Sequence, residues 1–395
     1  MKKTILLTIP FLLASCGGVE NENSSSANPE VEEITINDGI GRENTYLPGS
    51  YKRIVCVGAG ALRLYSYIGD NSLLVGVEDI DNPAKRENGG FAFEGVARPY
   101  YDANKESYRN LLSVGAGGPV ANQSGPNLSA LVNATPDLII SDFETAEAAK
   151  SMEDATGAKV FTIKYGRAAI YDNTVTDVLT SLGKVLKKEE RAKEIKDFVT
   201  SSINEIKDKT KDVKDEDKPL VYVGGIGNWG QKNYLATHSN YPMFNVANIK
   251  NALTEITLTA QGQQDISKAA FEELAPKMDK MIIDAAGMKQ TIDAYNADRT
   301  IFDNVKAVQN GEVYLQLPYN AYYTNLEVSL MDGYFDAAVT YPELFKDFDL
   351  EAKYREILTK FVGKDIYDTE IAMSGSFGGY QKISNLKTWC EERIK

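Results

Sequence analysis

The chain has 395 residues, 43% of them hydrophobic, which is length enough for two lobes of ordinary domain size and side chain enough for a sizeable core. Acidic residues outnumber basic ones by 56 to 43, and a net charge of −13 argues against nucleic acid as a partner, because phosphate contacts need clustered Lys and Arg. The single histidine, His238, leaves no room for a His-rich zinc or copper centre.

Lys2 and Lys3 precede a short apolar run from Ile5 to Leu13, well below the roughly 20 residues that span a bilayer. The run closes on Leu13-Ala14-Ser15-Cys16, small residues before a cysteine, which resembles the lipobox of bacterial lipoproteins. That resemblance implies a signal peptide over 1–15, cleavage before Cys16 and acylation of its thiol. The protein would then be exported and lipid-anchored to a membrane, facing the periplasm or the cell surface. Acyl chains contribute about 0.8 kcal/mol per buried methylene, so several hold a folded domain on a membrane. Loss of Lys2 and Lys3 takes the net charge from −13 to −15. Residues 16–33, small and polar after Cys16, read as a flexible linker. Of the remaining cysteines, Cys56 and Cys390 lie far apart in sequence and read as buried free thiols; pairing would require Cα atoms within about 7 Å.

From Arg53 to Val57 a short apolar run ends in Gly58-Ala59-Gly60, a strand entering a turn. Ala61 to Ile68 then has helical spacing, with Gly69 as its stop. Further strand-like runs are Leu73–Val77, Leu138–Ile140, Val160–Ile163, Leu220–Val223, Met281–Ile283 and Val313–Leu315. Strands alternating with helical patterns predict an α/β protein with parallel sheets. Between the two sets, Glu189 to Asp212 contains no Gly or Pro, and Ile195, Phe198, Val199, Ile203 and Ile206 recur at steps that are mostly three or four. Glu189 and Glu190 begin this stretch and Lys207, Lys209 and Lys211 end it, as the helix dipole favours. The pattern predicts one long helix joining an N-terminal lobe (34–186) to a C-terminal lobe (214–395) through residues 187–213. Late in the chain, Thr324-Asn325-Leu326-Glu327 has the form of a capping box, and Asp349 and Gly363 bracket another helix.

Several phrases resemble one family. Ile34-Thr35-Ile36-Asn37-Asp38, Gly41-Arg42, Pro48 and Lys52-Arg53-Ile54-Val55 are similar to the entry of substrate-binding proteins of iron-siderophore and cobalamin ABC importers. Leu73 to Val77, Asn127 to Leu131 with Thr135 to Ile140, and Asp303 to Tyr314 follow in that family's order. Within the family the chain looks most like a branch with Gly-Ala-Leu-Arg-Leu after the first strand, Arg-Pro-Tyr in the N-lobe and Pro-Tyr-Asn beside further tyrosines in the C-lobe. The resemblance implies two Rossmann-like lobes with a ligand cleft between them, a monomer that binds without catalysis, and delivery of a metal chelate to an ABC permease dimer with its ATPase. It implies no cofactor. The family carries a Glu on the first helix of each lobe to dock on permease arginines; the matching positions here are Arg63 and Asn245, so docking would use different chemistry.

Ligand-binding candidates sit on loops beyond strand ends, where open α/β sheets bind. They are Arg98, Tyr100 and Tyr101 in the N-lobe, and Trp229, His238, Tyr319, Tyr322 and Tyr323 in the C-lobe. Aromatic walls with one or two cations fit a large, often anionic chelate through burial, cation–π contact and charge-assisted hydrogen bonds. Core packing accounts equally well for any single tyrosine, and a salt bridge for Arg98. The glycine turns Gly58-Ala59-Gly60 and Gly115 to Gly118 offer backbone N–H groups to an anion. Gly225-Ile226-Gly227-Asn228-Trp229-Gly230 spells a dinucleotide fingerprint, but no apolar-periodic helix follows it. An iron chelate leads as ligand, with cobalamin, haem, a bare metal or an oxyanion as alternatives. A surface-anchored hydrolase would need a nucleophile elbow that the sequence lacks, and a structural lipoprotein would need no two-lobe layout.

Overall fold

The computed structural model describes residues 32–86, 96–118, 124–166, 169–227, 230–258, 260–372 and 376–394. Cys16, the leader, most of the linker and Trp229 lie outside the described residues.

A hairpin of β1 (Ile34–Asn37) and β2 (Glu43–Tyr46) precedes the first sheet. That sheet comprises β3 (Ile54–Val57), β4 (Leu74–Val77), β5 (Leu112–Ser113), β6 (Leu138–Ser141) and β7 (Lys159–Thr162). Its order is β5-β4-β3-β6-β7 and every pairing is parallel. β3 and β6 are buried at every position, because crossover helices cover both faces of a parallel sheet. The chain moves outward from β3 to β5, then returns on the other side to β6, so the strand order reverses between β3 and β6. A crevice opens at such a reversal, beyond the carboxyl ends of the strands.

The second sheet is built from β8 (Leu220–Gly224), β10 (Lys250–Asn251), β12 (Lys280–Asp284), β13 (Val313–Gln316) and β14 (Gln381–Ile383), in the order β10-β8-β12-β13-β14. Only β14 is antiparallel to its neighbour. β9 (Ala236–His238) and β11 (Gln263–Asp265) form a separate antiparallel pair. Here the order reverses between β8 and β12, giving the second lobe its own crevice.

The helices that matter for the site are α1 (Ala61–Ile68), α2 (Pro99–Tyr108), α3 (Thr174–Leu186), α4 (Glu189–Thr210), α5 (Leu326–Thr340) and α6 (Leu350–Val362). α4 is the long helix between the lobes; at 1.5 Å per residue its 22 residues extend about 33 Å. Its stripe of Ile195, Val199, Ile203 and Ile206 is buried against α3 of the first lobe and α5 of the second. One hydrophobic core therefore runs from the first sheet through α4 into α5. The strut does not act alone. α6 packs on α1 and α2, Lys105 pairs with Glu370 at 2.8 Å, and the Tyr171 hydroxyl donates to the Ser329 carbonyl at 2.6 Å.

α6 has its expected cap, Asp349 accepting from the Ala352 amide, and ends at Gly363 with φ 73°. The capping box at Thr324 does not form. Asn325 takes the N-cap position without a side-chain cap, because its amide and the Glu327 carboxyl are engaged with the other lobe. No helix among the described residues is long and apolar enough to cross a membrane.

Candidate functional site

The two crevices meet around one side chain. Arg63, in the first turns of α1, has 0% of its surface exposed. Its Nη1 donates to the Tyr165 hydroxyl (3.1 Å) and to the Tyr322 carbonyl oxygen (3.1 Å). Its Nη2 donates to the Ala321 carbonyl oxygen (2.8 Å) and to Asn325 Oδ1 (2.8 Å). Three of these four acceptors belong to the loop between β13 and α5, more than 250 positions away in the chain. Among the described residues no carboxylate forms an ion pair with Arg63, and its Nε has no hydrogen-bond partner.

Behind Arg63 lies a supporting layer. The guanidinium sits over the Tyr100 ring, 4.6 Å from its centroid. Tyr100 is fixed in turn by Arg98 and Asp81. Arg98 Nη1 meets Asp81 Oδ1 at 2.6 Å, its Nη2 donates to the Ile80 carbonyl at 2.7 Å, and the Tyr100 hydroxyl donates to Asp81 at 2.7 Å. Arg98 also lies over the Tyr101 ring at 4.6 Å. The Arg98-Pro99-Tyr100-Tyr101 phrase opens α2, with Pro99 at the first helical position, where its missing N–H is harmless. Arg98, Tyr100 and Tyr101 are thus buried in the first lobe, one layer behind the cleft surface.

The loop facing Arg63 carries the tyrosines. Tyr322 reaches into the first lobe, packing with Ala59 and Ile80, and its hydroxyl donates to Glu78 Oε2 at 2.5 Å. Tyr323 stacks on Tyr165 with centroids 5.7 Å apart and planes 15° apart, and keeps 36% of its surface exposed. Both adopt left-handed backbone, φ 54° and 63°. Bulky residues hold that conformation at a cost of roughly 1–3 kcal/mol, and it persists where surrounding contacts impose it. Here the imposing contacts are the bonds from Arg63, the bond from Tyr322 to Glu78, and that of the Tyr165 hydroxyl to the Thr324 carbonyl. Tyr319 is buried below the loop, its ring 6.0 Å from Tyr241. His238 lies one ring further out, 6.1 Å from Tyr241, and its Nδ1 accepts from the Asn240 amide.

Three acidic side chains line the seam; Glu78 and Asp142 did not stand out in the sequence, and Glu327 did so only as part of a capping box. Glu78 directly follows β4 and accepts from the Gly58 amide at 3.1 Å, so this N–H is taken by a carboxyl. Burial pushes its pKa up to about 7, against the hydrogen bonds from Tyr322 and Gly58. Asp142 directly follows β6, its Cβ against Gly58; burial, with Glu144 and Glu78 nearby, holds its pKa well above the ordinary value. Glu327 accepts from the Tyr67 hydroxyl, and burial raises it too. For Glu78 and Asp142 the available signal was position, an acid immediately beyond a strand's carboxyl end, without any motif around it. The Gly60 turn is required by packing: with φ 83°, a Cβ there would lie 2.9 Å from the Tyr165 ring.

The expected docking pair separates. Asn245 is exposed on the short helix Pro242–Val246, whereas Arg63 is interior and no partner protein reaches it in this conformation. The sequence places Arg63 on a helix surface; the loop from the second lobe covers that surface.

A family profile described as periplasmic binding protein matches residues 87–318, more than half of the chain. No curated protein sequence matches it. Among solved structures, a periplasmic solute binding protein from Veillonella parvula is similar at TM-score 0.64 and 19% identity, over 87% of this chain and 97% of that one. The molybdate periplasmic binding protein MolA from Haemophilus influenzae gives 0.61 and 17% over 84% and 98%, and a TroA-like FepB from Veillonella parvula gives 0.58 and 20% over 84% and 97%. At these identities the structures speak for the shared two-lobed α/β fold. The profile match and the two-lobed architecture together establish that the chain belongs to the periplasmic binding proteins, the extracytoplasmic solute-binding components of ABC transporters.

Proposed function

We propose that this protein captures an iron complex of the siderophore type in the seam between its lobes and passes it, without turnover, to a permease dimer with its ATPase. The observation that supports this reading most is the meeting of a guanidinium and tyrosine rings from both lobes at one place, Arg63 and Tyr165 from the first and Tyr322 and Tyr323 from the second. A ligand entering there contacts both halves, so its presence is transmitted to the shape that a permease reads. Large chelates suit such a site because rings bury their apolar parts while a fixed cation meets their charge. Arg98, Tyr100, Tyr101 and Tyr319 act from behind as supports, His238 extends the wall on the second lobe, and the sequence puts Trp229 forward as a further ligand contact. The protein acts as a monomer, and the lipobox-like phrase supports a tether through lipid on Cys16. Docking on the permease then falls to exposed residues such as Asn245 rather than to Arg63.

The test is native mass spectrometry of the protein purified from its own cells, where an iron complex should be carried along at one per chain. With Trp229 and Trp389 the only tryptophans, quenching by that complex should disappear in W229F. A preparation that carries no metal complex, from cells whose iron uptake is unchanged by deleting the protein, would end this reading.

A further inference from the structure

We propose that two reciprocal bonds, from the Tyr322 hydroxyl to Glu78 and from the Tyr67 hydroxyl to Glu327, form a latch between the lobes, and that loss of the Glu78 proton releases it. The latch rests on the two-lobed fold and not on which solute binds.

The pairing is an exchange. The first lobe receives a phenol from the second at Glu78, and the second receives one from the first at Glu327. All four side chains are buried. The receptor for Tyr322 is made by the first lobe alone. Ala59 and Ile80 hold the ring, Glu78 accepts from the hydroxyl, and the Gly118 amide donates to it. Contacts within that lobe fix the pocket: a Cβ on Gly117 would lie 2.6 Å from Ile80 and 2.9 Å from Glu78, and the Gly115 and Ala116 carbonyls accept from the Asp79 and Ile80 amides. Tyr322 reaches the pocket with φ 54°, a left-handed backbone that is free to relax once these contacts part.

Glu78 couples the latch to protons. Parting the lobes returns its carboxyl to water, where the charged form is stable; closing them buries it, which favours the acid form. Around it stand Asp79 and Asp81 on its own segment, Asp142 beyond β6 with Glu144 beside that, and the Cys56 thiol, itself held protonated by burial. Arg98 pairs with Asp81, and Arg63 faces Asp142 and Glu327. At Glu327 Arg63 favours the charged form while burial and Asp102 oppose it, so the release falls to Glu78. In the closed seam burial raises Glu78 to about 7. Closure is favoured fully below the ordinary 4.5 and loses that advantage as the pH rises through 7. The open-to-closed ratio should therefore rise on the order of 100-fold from about pH 4.5 to about pH 8.5.

Amide hydrogen exchange of the full chain, normalised to the intrinsic rate at each pH, measures this ratio. The reporters are the Gly58 amide, bonded to Glu78, and the loop amides of Ala321 and Asn325; strands β6 and β12 are the reference for unfolding of the whole molecule. Seam protection should fall on the order of 100-fold over that range and stay below that of the reference strands. In E78Q, which cannot ionise, it should change less than about threefold. Y322F and Y67F should each lower it about fivefold or more at the acid end, the scale of one hydrogen bond. Seam protection that does not vary with pH in the parent, or that falls equally in E78Q, would overturn the latch and leave the importer reading intact, because no outcome depends on a bound solute. Should the variants fail to fold, the parent alone decides: seam protection equal to the reference at every pH would mean that the lobes part only on unfolding, and would overturn the latch as well.

Discussion

Glu78 should make the stability of this protein fall as the pH rises from about 4.5 to about 7. Its carboxyl is enclosed between the Gly58 amide and the Tyr322 hydroxyl of the opposite lobe, and burial raises its pKa from the ordinary 4.5 to about 7. In that window the folded protein keeps a proton on Glu78 that the unfolded chain has released, so the contribution is fully present below 4.5 and lost through 7. At about 1.4 kcal/mol per pH unit, the interval is worth about 3 kcal/mol. E78Q has the same shape and no proton to lose. Urea unfolding of both proteins at intervals from pH 4.5 to 8 isolates the effect, since the other buried acids titrate in both. E78Q should gain about 3 kcal/mol relative to the parent between pH 4.5 and 7.5, with little change above that. Parallel stability curves would refute the reasoning, and would mean that water reaches the Glu78 carboxyl in the folded protein.

Three further predictions concern the layers around the seam. D81N should lower stability by about 3–5 kcal/mol in urea unfolding, because it leaves the Arg98 guanidinium buried without its countercharge; a loss below 1 kcal/mol would show that water or another acid replaces Asp81. G60A should lower the thermal midpoint, with a cost of about 1–2 kcal/mol for the left-handed backbone alone and more for the clash with Tyr165; an unchanged midpoint would mean that the turn relaxes freely. Cys56 and Cys390 are both buried and unpaired, and burial pushes both thiols up, so Ellman's reagent should modify them only after denaturation. Rapid reaction of either thiol in the native protein would contradict their placement.

What the sequence determined by itself is local. Ala61–Ile68 forms the helix its spacing predicts, Leu74–Val77 and Lys280–Asp284 form strands where short apolar runs predict them, and the Gly- and Pro-free stretch from Glu189 becomes the helix Glu189–Thr210 between the lobes. Asp349 caps α6 because a cap involves neighbours three positions apart. Periodicity and capping are interactions among nearby residues, so they are legible without a fold. Arg63 and Thr324 show where that reading stops. A polar residue on a short helix reads as surface, and the Thr324 phrase reads as a capping box. Each was decided by a partner that sequence distance hides. The loop after β13 lies over α1 and takes Arg63 out of water, and Tyr67 engages Glu327 before it can cap its own helix. Glu78 and Tyr322 are 244 positions apart, yet one hydrogen bond joins them. Whether a charged side chain is exposed, ion-paired or buried among neutral acceptors depends on which distant segment covers it, and only the packing of the two lobes decides that.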